Sequence, residues 1–355
     1  MNLLSKPQYS PSTFDPNGSG IKGNLFGLPF TPETASLVIV PVPWEVTVSY
    51  NAGTSRGPQA ILDASQQVDL FLKDIPDAWQ LGASMLPVPR SLIDESARLR
   101  ELTTRYVARL ESHEVVEDDP LLKKINEASE TLNIYVRSTV TRLMRDGKMV
   151  GLLGGDHSTP LGFLRALPEF YSRFGILQID AHADLRKSYQ GFTNSHASIM
   201  HNAMKIRSIN RLVQVGIRDL CEEEMQVIDR SRGRIVTFFD QDLKEGMYNG
   251  VSWDEICTKI VSALPENVYI SFDIDGLDPR FCPGTGTPVP GGLDFYQAQY
   301  LLKKLVAAGK RIIGFDLNEV APGSQPEWDA NVGARLLYQL VNWMAVSRGK
   351  LHANF

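Results

Sequence analysis

The chain has 355 residues, of which 43% are hydrophobic and 22% charged, and its formal net charge is −5. That apolar share supports a core of ordinary proportions, and the lack of a basic surplus argues against nucleic acid as a partner. No apolar run approaches the ~18 residues needed to cross a bilayer, so no membrane partner is expected.

Residues 1–35 are rich in Ser, Pro, Asn and Gly and read as an irregular arm, with Phe and Leu residues that would pack on the body or on a neighbouring subunit. Lys6 and Lys22 are its only basic residues and no apolar segment precedes Leu25, so no secretory signal is expected. From Leu37 onward, short apolar runs alternate with longer amphipathic stretches. Strands are predicted at 37–42, 148–153, 175–180, 211–217, 234–239, 267–273 and 311–317. Helices are predicted at 58–73, 120–146, 160–171, 221–231, 253–264, 294–308 and 329–347, with Pro58 and Pro160 opening two of them and Asp294 capping a third. Residues 87–119, charged and headed by Pro87-Val88-Pro89, read as an insertion. The alternation predicts an α/β protein, a three-layer α/β/α arrangement around a mostly parallel sheet, in one domain over 36–350. Three scattered cysteines, Cys221, Cys257 and Cys282, are expected to be reduced thiols in a cytoplasmic protein.

Three acidic clusters follow three of the predicted strands. They are Gly154-Gly155-Asp156-His157-Ser158, Asp180-Ala181-His182-Ala183-Asp184 and Asp273-Ile274-Asp275-Gly276. Side chains two apart on a strand share a face at roughly 6.5 Å spacing, so Asp180, His182 and Asp184 can converge on one point and Asp273 with Asp275 on a neighbouring one. Histidine and carboxylate ligands suit divalent first-row metals. Four carboxylates brought within about 4 Å repel by several kcal/mol per pair at an effective dielectric near 20, so without cations they would take up protons. Helix-capping loop acids would explain one Asp per strand end, but not three clusters. All three sit at the carboxyl ends of strands, where open α/β sheets gather ligands.

In that order the clusters, with Ser271-Phe272-Asp273-Ile274-Asp275-Gly276-Leu277-Asp278-Pro279, resemble the ureohydrolase family of arginases, agmatinases, guanidinobutyrases, formimidoylglutamases and guanidinases. The resemblance runs from about Val38 to Leu340 and is nearest to guanidinase-like members. It implies a three-layer α/β/α fold, a trimer or hexamer, and two divalent ions per chain, Mn²⁺ or Ni²⁺, with metal-loading chaperones as partners in the nickel case. One ion would be held by His157, Asp180, Asp184 and Asp273, the other by Asp180, His182, Asp273 and Asp275, with Asp180 and Asp273 bridging. By the same resemblance His196 shuttles protons at the mouth of the site, and Glu319 binds the guanidinium group.

The chemistry is consistent with that expectation. With two divalent cations, four aspartates, a hydroxide and Glu319, the surroundings stay net negative and favour a small cationic substrate. The metals lower the pKa of water towards about 7, and the departing amine or ammonia needs a proton that an imidazole can supply. Asp156 reads as a residue orienting His157, and Gly284-Thr285-Gly286-Thr287-Pro288 as a loop near the pocket rather than a phosphate cradle.

Leu185-Arg186-Lys187 stands where arginases carry an Asn-rich segment for the amino-acid head, which demotes arginine as substrate. Guanidine hydrolysis to urea and ammonia is the expected activity, with agmatine the alternative substrate and formimidoylglutamate or a guanidino acid after it. Tyr189, Phe192, Trp328 and the loop bearing Thr54 are candidates to close a pocket for a tailless substrate, and Arg186 and Lys187 would repel a second ammonium. An inactive metal-binding scaffold is the non-enzymatic alternative. Degeneration usually removes ligands, and here every position is filled.

Overall fold

Eight parallel strands form one sheet in the computed structural model, which describes residues 11–48, 51–114, 118–323 and 326–355. The strands are β1 (Leu37–Val42), β2 (Ala83–Met85), β3 (Met149–Gly154), β4 (Phe174–Ile179), β5 (Ile209–Ile217), β6 (Ile235–Phe239), β7 (Asn267–Asp273) and β8 (Arg311–Asn318). Their order across the sheet is β2-β1-β3-β8-β7-β4-β5-β6. The helices are α1 (Gly57–Ala64), α2 (Arg90–Glu111), α3 (Pro120–Arg145), α4 (Leu161–Ala166), α5 (Ile199–Ala203), α6 (Glu222–Arg230), α7 (Asp240–Tyr248), α8 (Trp253–Ser262), α9 (Phe295–Ala307) and α10 (Pro326–Ser347).

Every central strand is buried on both faces, because alternate side chains feed two cores. Leu37 and Ile39 of β1 join Ile61 of α1, Leu301 of α9 and Leu337 of α10 in one apolar layer. Val38 and Val40 join Leu99 of α2, Val136 of α3 and Leu164 of α4 in the other. The result is the predicted three-layer α/β/α arrangement, with an uninterrupted parallel sheet at its centre.

Several elements differ from expectation. The helix predicted at 58–73 stops at Ala64, where Ser65 Oγ donates to Leu62 O at 2.7 Å and accepts the Phe26 N–H at 2.9 Å, so the chain turns to meet the arm. The helix predicted at 160–171 ends at Ala166, and Pro168 sits in a short 3₁₀ turn that follows. Strand β2, three residues long, carries too little pattern to be seen in the sequence, and α7 was not predicted either. Within the region read as an insertion, α2 is a regular helix whose Leu99 and Tyr106 are buried against the second core. Residues 115–117 of that region lie outside the described residues.

In the arm, Leu25, Phe26 and Leu28 are buried, and Phe26 meets the Tyr338 ring of α10 edge-on at 4.8 Å. Phe14 also packs, against Trp79 at 5.3 Å, while most of residues 12–23 are exposed, and the first ten residues lie outside the described ones. Among the described residues no helix is long and apolar enough to cross a membrane.

Candidate metal centre

Strands β3, β8, β7 and β4 are consecutive neighbours, and the chain crosses from β3 to β4 over the other two. Such a switch in strand order opens a crevice beyond the carboxyl ends, and the three acidic clusters and Glu319 leave the sheet there. His157 follows β3, the run from Asp180 to Asp184 follows β4, Asp273 ends β7 and Glu319 follows β8.

Two constellations result. His157 Nδ1 lies 3.0 Å from Asp180 Oδ2 and 3.2 Å from both Asp184 Oδ2 and Asp273 Oδ2. His182 Nδ1 lies 3.1 Å from Asp275 Oδ2 and 3.6 Å from Asp180 Oδ1. His157, Asp180 and Asp273 form one group with metal-ligand spacing, and Asp180, His182 and Asp275 form another. Asp180 belongs to both, one oxygen turned to each histidine. Asp273 groups with the first constellation in this geometry.

The donor set fits divalent cations on a specific observation. His157 Nδ1 and Asp275 Oδ2 are buried and aligned with no hydrogen-bond partner, although carboxylate oxygens or an imidazole nitrogen stand at 3.0–3.2 Å. Polar atoms that crowd together in directions unsuited to hydrogen bonds among themselves are arranged around a common centre rather than on one another.

Protonation behaviour agrees. Burial alone would depress the His182 imidazole, but Asp275 and Asp180 overcome it and push it up to about 12. His157 is likewise raised well above the usual range, since Asp180, Asp184 and Asp273 outweigh its burial. Burial and then Asp180 push the Asp184 carboxyl up to about 7. Burial and then Asp275 raise Asp273 far above an ordinary carboxylate. Like charges confined in a dry crevice hold protons in the place of cations.

Buried polar relays fix the ligands. His157 Nε2 is 2.8 Å from Ser271 Oγ, which donates to Asp316 Oδ1 at 3.1 Å, so the Nε2–H points to Ser271 and Nδ1 is the nitrogen that faces the carboxylates. Asp180 Oδ2 accepts from Gln178 Nε2 at 2.8 Å, Gln178 Oε1 from Gln214 Nε2 at 2.7 Å, and Gln214 Oε1 from Thr237 Oγ1 at 2.8 Å. Sequence reasoning missed both relays. Their signal was present, since Gln178, Gln214, Ser271 and Asp316 are the polar interruptions of otherwise apolar strands. Gly276 passes so close to the Asp180 backbone that a Cβ there would lie 2.6 Å from its nitrogen.

Asp184 and Glu319 adopt left-handed backbone, φ 55° and 63°. Each such residue costs of order 1–3 kcal/mol and persists because its surroundings hold it. Asp184 O accepts the N–H groups of Met200 and His201, both at 3.1 Å, while Glu319 donates its N–H to Gly155 O at 2.8 Å and accepts from Thr285 Oγ1 at 2.9 Å. The Glu319 carboxylate is buried, with Oε1 accepting the His157 N–H at 2.8 Å. Burial and then Asp156 raise its pKa well above the usual value. Asp156 itself accepts from Ser158 N at 2.9 Å.

A cavity of about 150 Å³ adjoins the cluster, with His182, Asp184, Arg186, Tyr189, His196 and Asp219 in its wall. His196 is partly buried there, its Nδ1 without a partner and its ring edge-on to Tyr189 at 6.2 Å. Burial, then the charges of His182 and His157, push its pKa down to about 4, so the imidazole is neutral at pH 7 and must receive a proton before it can give one. Among the closure candidates, Tyr189 lines the cavity, and so does Thr287 of the 284–288 loop expected near the pocket. Phe192 is buried behind the wall against Tyr106, Thr54 is buried beside Glu45, and Trp328 donates to Arg280 O on the surface. Arg186 lines the cavity, whereas Lys187 points to solvent.

The chain is similar to known proteins over most of its length. Residues 35–342 match the model of the arginase family. An N(1)-aminopropylagmatine ureohydrolase from Thermus thermophilus is 32% identical, over 92% of this chain and 97% of that protein. An agmatinase from Halalkalibacterium halodurans is 28% identical, over 88% and 93%. The crystal structure of an agmatine ureohydrolase from Thermoplasma volcanium superposes with a TM-score of 0.70 at 24% identity, covering 96% and 98% of the two chains.

Proposed function

The chain belongs to the arginase family, and from that membership we propose that it is a ureohydrolase that cleaves a guanidinium C–N bond with release of urea. The observation that carries this reading is the pair of histidine–carboxylate constellations sharing Asp180, next to the buried Glu319 carboxylate. His157, Asp180, Asp184 and Asp273 would hold one divalent ion, Asp180, His182, Asp273 and Asp275 the other, with Mn²⁺ and Ni²⁺ both suited to these donors. When bound, the pair supplies Lewis acidity that makes hydroxide available near neutral pH.

The protein's own side chains do the rest. Glu319 offers a fixed carboxyl group to the planar guanidinium, and Gly286, where a Cβ would stand 2.9 Å from Oε2, keeps a side chain from crowding that oxygen. His196, neutral at rest, takes up a proton at Nδ1 or Nε2 as water is activated and passes it to the departing nitrogen. Tyr189 keeps the imidazole against the cavity wall.

Agmatine-type amines are the substrate class favoured by the names of the relatives, and the Asp219 carboxylate in the cavity wall is a place for a tail ammonium. Free guanidine is the second reading, favoured by the small volume of about 150 Å³. Urea release from guanidine, agmatine, arginine and guanidinobutyrate, and formamide release from formimidoylglutamate, after loading with Mn²⁺ or Ni²⁺, test both. Agmatine turnover far above the rest supports the first, guanidine the second, and no urea from any of them removes the proposal.

A further inference from the structure

Arg186 occupies an unusual place for a cation in a pocket built to take a cation. It follows the metal-ligand run by two residues, lines the cavity and is anchored by its N–H to Ala197 O at 3.1 Å. Its guanidinium stacks over the Tyr189 ring at 5.3 Å from the centroid, and its Nε lies 3.5 Å from Glu224 Oε2. Glu224 is already committed to the backbone, accepting from Leu185 N and Cys221 N, each at 2.9 Å. The Arg186 Nη groups have no hydrogen-bond partner among the described residues.

The platform beneath Arg186 is held in place. Tyr189 and Phe192 pair through their backbones, Phe192 packs on Tyr106, and Asn126 of α3 grips both Gly191 O at 3.2 Å and Thr193 N at 3.0 Å. Three acids share the wall with Arg186: Asp184 belongs to the metal-ligand run, Glu224 is held by backbone N–H groups, and Asp219, with a side chain 66% exposed, is more strongly screened than Arg186 at 38%.

Resting on the ureohydrolase reading, but on neither substrate in particular, we infer that Arg186 sets tail selectivity, favouring guanidines whose far end is neutral or anionic over those ending in an ammonium. A fixed cation in the wall repels a tail ammonium, and its free N–H fork can donate to a carboxylate or carbonyl. A unit charge several Å away, at a dielectric between protein and water, changes relative kcat/KM by about tenfold.

The test compares agmatine, its neutral-tail analogue butylguanidine, and guanidinobutyrate on metal-loaded protein. Each is measured as kcat/KM, or as an inhibition constant where a compound is not turned over. Arg186→Gln should raise agmatine relative to butylguanidine about tenfold and lower guanidinobutyrate relative to it, Arg186→Lys should keep the agmatine ratio yet lower guanidinobutyrate, and Lys187→Ala should leave both ratios unchanged. Unchanged ratios in a folded Arg186→Gln protein overturn the inference. Should that variant fail to fold, Arg186→Met is measured against the same three compounds, and unchanged ratios there reject the assignment. Absence of turnover and binding for all three compounds counts instead against the ureohydrolase reading itself.

Discussion

The imidazole of His157 and the hydroxyl of Ser271 meet at 2.8 Å, and this contact decides which histidine nitrogen faces the carboxylates. Ser271 passes its own proton to Asp316, so it can only accept from Nε2. Ser271→Ala should therefore release the ring and weaken divalent-metal binding by about 10-fold or more. A calorimetric metal titration reads this directly, and wild-type affinity in the variant would refute the orienting role.

Asp180 stands between both histidines, and its removal should empty both positions. We expect Asp180→Ala to fall from about two ions per chain to less than one, and Asp273→Ala to do the same if that carboxylate bridges. Elemental analysis after metal loading distinguishes the two. Loss of a single ion in Asp273→Ala would confine Asp273 to the His157 constellation.

His196→Asn should keep both ions and the fold yet lose most turnover, on the order of 10²-fold, because the proton path to the leaving nitrogen is interrupted. Metal content and urea formation measured on the same preparation are needed. Undiminished turnover removes the proton-transfer role.

Protons and metals compete for one cluster, which fixes a sign. Asp184 is raised to about 7 and His182 to about 12, so both bind protons more tightly folded than unfolded. The stability that these protons confer is full at low pH. It is lost from about pH 4 to 7 for Asp184, and from about pH 6.5 upward for His182. The rise in Tm on adding divalent metal to chelated protein should therefore grow between about pH 5 and pH 8. An increment that is flat or shrinks over that range would contradict the shared site.

Periodicity and local chemistry in the sequence determined the sheet, the three acidic clusters and the histidines among them, because parallel strands buried on both faces leave largely apolar runs such as Val268 to Phe272 that end abruptly in charge. The helix α2 was hidden because its charged residues dominate the pattern and its buried contacts, Leu99 and Tyr106, are few. Only the tertiary structure decided that β8 and β7 lie between β3 and β4, which brings Glu319 to His157 and gives Asp180 to both histidines. It alone decided that Arg186 lines the cavity while Lys187 faces water. Strand order and side-chain direction depend on how the layers pack, and that information is distributed over contacts far apart in the chain.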